Sequence, residues 1–110
     1  MENKDWKNLI LSVGKLNIRK LTPVEVALLI EKAIDEGMSR KEIAERCMLA
    51  DSTMLGKFLN LLKLEKEYWH LIDWSSDSII SFTSAQMVAQ HNRIIQNQMI
   101  ESIIKYEFNK

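Results

Sequence analysis

Ser52, Thr53, Gly56, Lys57 and Asn60 are small, polar or cationic residues separated by three- and four-residue steps. An α-helix turns once every ~3.6 residues, so this spacing gathers them on one helical face. Hydroxyls, an ammonium group and a carboxamide on a helix face can hydrogen-bond base edges in the major groove of DNA. Asn60 lies a turn further on, at a distance suited to the backbone as well. Upstream, Ser39, Arg40 and Lys41 stand at the start of another helical stretch. A hydroxyl, a guanidinium and an ammonium group beside the orphan amides of a helix start suit phosphate oxygens, contacts that set register without reading sequence. Catalytic inventory is poor by comparison. His70 and His91 are far apart, Cys47 is the single cysteine, and no cluster has metal-ligand spacing. No Ser–His–acid arrangement stands out, and no glycine-rich loop could cradle a phosphate. The chain is therefore expected to be no enzyme and to carry no cofactor or metal.

The elements that would position these groups can be read from capping and periodicity. Ser39 followed by Glu42 forms a capping box, in which hydroxyl and carboxylate satisfy each other's end of the helix. Ile43 and Ala44 supply a short apolar face, and a turn falls near residues 47–50. Asp51 or Ser52 can cap the next helix, whose Leu55, Phe58, Leu59 and Leu62 recur at inward-facing spacing. The stretch from Ser39 to Leu64 thus has the layout of a helix-turn-helix.

Helices are expected on both sides. Asp5 to Leu16 places Trp6, Leu9, Ile10 and Val13 on one face, with Lys4, Lys7 and Lys15 on the other as a solvated surface in preference to a phosphate-touching arm. Thr22 and Glu25 form a second capping box around Pro23, opening a helix to about Glu36 that Gly37 stops. Its outer side is acidic (Glu31, Asp35, Glu36) and points to no role on DNA. A further helix is expected over Glu65 to Trp74, with Trp69 and Trp74 as core. A loop follows at residues 75–78, then a short helix capped by Thr83 or Ser84. The final helix runs from Asn92 or Arg93 to Phe108. Ile95, Met99, Ile103 and Tyr106 form one line along it, with Ile94, Ile100, Ile104 and Phe108 beside them. A stripe that wide belongs either to a largely buried helix or to one that shares part of its face with a partner copy.

Taken together, T22-P-V-E-V-A, E36-G-M-S-R-K-E-I-A and F58-L-N-L-L-K-L resemble the helix-turn-helix domain of the ParB/KorB partition-protein family over residues 17–90. The resemblance implies an all-α, compact multi-helix domain of about six helices, spanning residues 1–110 as a single unit. It also implies binding to double-stranded DNA, in plasmid or chromosome partition or in transcriptional regulation. Where those proteins often carry a turn glycine, this chain has Met48 or Leu49, and its second helix opens A-D-S-T-M. Family members also carry an N-terminal, arginine-rich CTP-binding motif. Nothing in residues 1–20 resembles it, so no nucleotide is expected.

Composition bounds these expectations. Apolar residues make up 46 % of the chain, enough for a folded core and too many for a disordered segment. Formal net charge is zero, so no global basic field draws the protein onto nucleic acid. The charge is uneven, since residues 37–64 carry five Lys or Arg against three acids while residues 21–36 carry one against four. One cysteine, no membrane-length apolar run and an N-terminus without a signal-like stretch point to a cytoplasmic protein. Two functional expectations remain. The first is a DNA-binding domain, paired through Ile95, Met99 and Ile103. The second is a non-catalytic protein-interaction adaptor on the same scaffold, docking through the last helix.

Overall fold

A computed structural model describes residues 1–14, 18–75 and 77–108, the Phe108 side chain excepted. Among these, six α-helices dominate: α1 (Asn3–Val13), α2 (Pro23–Asp35), α3 (Arg40–Arg46), α4 (Thr53–Asn60), α5 (Phe82–Ala89) and α6 (Arg93–Phe108). The all-α class expected from the sequence holds as a mostly-α fold, the helices being joined by a small two-stranded sheet. The expected continuation of the first helix to Leu16, Lys15 with it, lies outside the described residues, as does Ser76 of the 75–78 loop.

Local chemistry explains the helix ends. Both capping boxes form: Thr22 Oγ1 accepts from the Glu25 amide at 3.2 Å, and Ser39 Oγ accepts from the Glu42 amide at 3.1 Å. α2 ends in a left-handed residue, Gly37 at φ 102°. The Met38 and Gly37 amides donate back to the carbonyls of Ala33 and Ile34. These paired bonds recapture carbonyls that the helix end would otherwise orphan.

Two apolar clusters form the interior. In the first, Trp6 and Leu9 of α1, Val26, Ala27 and Ile30 of α2, Ile43 and Ala44 of α3, and Leu55 and Phe58 of α4 pack together. In the second, Leu61, Leu64, Ile72, Ile80, Ala85, Val88 and Ile100 pack beneath Val24. An aromatic group joins the two: Phe58 stacks on Phe82 at 4.6 Å and meets Trp74 edge-on at 5.7 Å. α4 therefore rests on α2 with its inward face fully committed, which fixes the direction its outward face can point.

Residues 65–74 depart from the expected helix. Lys66–Leu71 is a 3-10 helix, and Ile72–Asp73 (β1) pairs in parallel with Ile80–Ser81 (β2), Ile72 opposite Ile80. The pairing sets Ile72 and Ile80 side by side in the second cluster while Asp73 stays exposed. Trp69 and Trp74, expected in the core, are half-buried instead and pack against its edges, their indole N–H groups donating to the carbonyls of Leu64 at 3.0 Å and Leu21 at 2.8 Å. The α5 cap also differs. Ser81, not Thr83 or Ser84, accepts from the Ser84 amide at 3.2 Å, because the strand delivers Ser81 to that position in extended conformation.

α6 runs over the expected span. Ile100 is its buried centre, Met99, Ile103 and Ile104 pack half-buried on the second cluster, and Ile94, Ile95 and Tyr106 stand exposed. The start of α6 is tied down by Gln96, whose buried amide donates to the carbonyls of Ala89 at 3.3 Å and His91 at 2.7 Å. No helix among the described residues is long and apolar enough to cross a membrane.

Candidate nucleic-acid interface

α3 and α4 are joined by a turn whose backbone explains the absent glycine. Met48 adopts φ 58°, the left-handed conformation usually left to glycine. Its amide donates to the Glu45 carbonyl at 3.1 Å, and the Leu49 amide donates to Ala44 at 2.9 Å. The pattern repeats the end of α2, so the turn forms with methionine in the glycine position and its side chain out in solvent. Cys47 precedes it, buried as the sequence suggested, and burial pushes its thiol up to about 11. At neutral pH that thiol is protonated and packs as an apolar group.

Asp51 serves as the cap of α4. Its Oδ1 accepts from the Thr53 amide at 2.8 Å, and this hydrogen bond holds the carboxyl below the usual carboxylate range. Lys57, one helical turn along, adds a smaller effect in the same direction. Ser52 occupies the residue before α4 and makes no side-chain cap bond, so its hydroxyl is half-buried without that duty. The negative charge of Asp51 is thereby partly offset by the helix start it faces.

The residues singled out in α4 do share a face. Thr53 and Lys57 are exposed and Gly56 and Asn60 half-exposed, while Leu55 and Phe58 are buried behind them. Arg40 joins this face from α3: a Cβ built on Gly56 would lie 3.7 Å from Arg40 Nη1. Ser39 sits nearby in sequence with its oxygen accepting the cap bond, which leaves its hydroxyl proton to donate outward. Lys41 stands apart. It lines a cleft of about 340 Å³ between α3 and the start of α4, shared with Ser52 and with the carboxylates of Glu45 and Asp51. The set expected from sequence therefore divides into an Arg40–Thr53–Gly56–Lys57–Asn60 face, a Lys41–Ser52 cleft beside it, and Ser39, which is engaged in the capping box of α3.

The sequence concealed how the rest of the cationic surface is spent. Arg46, in the last turn of α3, lies over the Trp6 ring at 4.1 Å and so bolts α1 to α3. Arg93 bridges Glu65 at 3.3 Å. Lys4 and Lys7 are exposed on α1, consistent with the solvated face anticipated for them. Among the described residues no group of His, Cys, Asp and Glu could hold a metal ion. No family model matches the chain, and neither does any curated protein or solved structure.

Proposed function

We propose that the protein binds double-stranded DNA through α3 and α4 acting as a helix-turn-helix, in partition or transcriptional control, as the ParB/KorB resemblance implies. The observation that carries this reading is the α4 face, where Arg40, Thr53, Lys57 and Asn60 project around Gly56 from a helix whose other side is fixed in the core. α4 enters the major groove, and the hydroxyl and amides at the start of α3, with Lys41, hold the phosphates. Two copies paired through α6, with Ile95, Met99 and Ile103 at the seam, place two such helices on adjacent half-sites and make up for the modest charge of one. The test is a mobility-shift titration of random-sequence and genomic duplex at low salt. A shift weakened by Lys57→Ala and by added salt supports the reading. No shift at any salt concentration refutes it.

A second reading is favoured by Ile94 and Ile95, apolar residues exposed at the start of α6. It makes the chain an adaptor that docks a protein on that helix. Protein that leaves duplex DNA unshifted, yet loses a defined protein partner on Ile94→Lys, selects this alternative.

A further inference from the structure

Arg40 occupies the first position of α3, where its sequence context assigns it to a phosphate. Its guanidinium does not stay with its own helix. It reaches across the turn and rests against α4 at Gly56, with 3.7 Å between Nη1 and the place a Cβ would take. Gly56 lies inside an eight-residue helix, a position where glycine weakens the helix and a larger residue would be the stabilising choice. A methyl there would meet the guanidinium at ordinary contact distance, while a longer side chain would enter the space that it occupies.

The other arginines are occupied. Arg19 lies over the Trp74 ring at 4.1 Å, Arg46 over Trp6 at 4.1 Å, and Arg93 donates to the Lys63 carbonyl at 2.9 Å. Among the described residues no ion pair or aromatic ring engages Arg40. The neighbouring groups on the α4 face are the Thr53 hydroxyl, the Lys57 ammonium and the Asn60 carboxamide. Lys57 can also donate to guanine, but the guanidinium is a rigid planar fork whose paired donors match O6 and N7, whereas the ammonium is a point charge on a flexible stem.

We infer that Arg40 is the specificity-determining residue of this surface, reading a guanine in the major groove from α3, with Gly56 as the gap that lets it lie over α4. This rests on the DNA-binding reading above. Selection of bound sites from a random duplex pool tests it, run in parallel on the wild type, Arg40→Ala, Gly56→Ala and Gly56→Leu. The wild type selects a motif with a guanine at one fixed position. Arg40→Ala loses the preference at that position alone, with affinity for the selected site down by about tenfold to a hundredfold. Gly56→Ala keeps the preference, since its methyl meets Nη1 at ordinary contact distance. Gly56→Leu displaces the guanidinium and loses the preference while circular dichroism shows the fold retained. If Arg40→Ala instead weakens all sequences equally and lowers the salt slope by about one, Arg40 holds a phosphate. The inference then falls while DNA binding stands. A wild type that shifts no duplex removes DNA binding and the inference together.

Discussion

Met48→Gly should stabilise the protein. Met48 sits at φ 58° in the turn between α3 and α4, and the residue is 79 % exposed, so little packing is lost when its side chain is removed. A non-glycine residue in the left-handed region carries a penalty of about 1–2 kcal/mol from Cβ against the following carbonyl. Glycine gives back roughly 0.5–1 kcal/mol through the larger freedom of the unfolded chain. The difference favours Met48→Gly by about 0.5–1 kcal/mol. For a domain of this size that raises Tm by about 2–6 °C. Urea unfolding followed by circular dichroism reads it as a higher midpoint at unchanged m. The reverse substitution at the matching position is the control. Gly37 has φ 102° with nothing within 4 Å of a built Cβ, so Gly37→Ala meets strain without any clash. The left-handed penalty less the freedom that the unfolded chain loses makes it destabilising by about 0.5–1 kcal/mol. If Met48→Gly lowers the midpoint while Gly37→Ala behaves as stated, the Met48 side chain makes a stabilising contact and the account of this turn is wrong.

Other consequences follow from particular groups. Ser81→Ala removes the α5 cap and should lower stability by about 1 kcal/mol, whereas Thr83→Ala should change it by less than about 0.5 kcal/mol; equal effects would return the cap to the position expected from sequence. Cys47 should react with a thiol reagent at pH 8 orders of magnitude more slowly in the native protein than in urea, because burial removes both access and thiolate. Native labelling at the unfolded rate would refute the burial of Cys47. The Asp51 carboxyl is held below its ordinary value in the folded state by the Thr53 amide, so its contribution is present above the unfolded carboxyl range, near pH ~4, and is lost as pH falls through the lowered folded value. Asp51→Asn keeps an acceptor for the cap and has nothing to titrate. Its acid-unfolding limb should be shallower than that of the wild type, and an identical limb would mean that Asp51 is not the cap.

Capping made much of the fold legible. Thr22 with Glu25 and Ser39 with Glu42 are short-range signals, complete within four residues, and both fold as read. The start of α6 was placed only to within a residue, at Asn92 or Arg93; in the structure Asn92 Oδ1 accepts from the Ile95 amide as a cap does. Residues 65–74 were misread because apolar Tyr68, Trp69, Leu71, Ile72 and Trp74 are too closely spaced for a period to be assigned. Their conformation is decided by which cluster each side chain must reach, and that is a property of the assembled core. Gln96 gave no signal either: only the fold brings the carbonyls of Ala89 and His91 to its amide. For the candidate site, the α4 face was readable from spacing alone. The crossing of Arg40 to Gly56 was not, because it depends on how α3 sits on α4.

How such a surface could hold DNA on a chain of zero net charge is a quantitative question. If Arg40 reads a base and Arg46 stays over Trp6, Lys41 and Lys57 are the cations of α3 and α4 left to offset phosphate charge, Lys57 from within the groove face and Lys41 from a cleft shared with Glu45 and Asp51. Each neutralised phosphate contributes about −0.9 to the slope of log affinity against log salt, so one copy gives roughly −2 and two paired copies roughly −4. Between 50 and 200 mM salt the first amounts to about a tenfold loss of affinity and the second to about 150-fold. A titration of a selected duplex over that range separates the cases, and the slope should halve on a duplex cut to one half-site. A slope steeper than about −7 cannot come from α3 and α4. It would call on Lys4 and Lys7 of α1, exposed on the first helix, and would turn their solvated face into the phosphate-touching arm set aside in favour of it. No salt dependence at all would leave the cations of α3 and α4 without the role assigned to them.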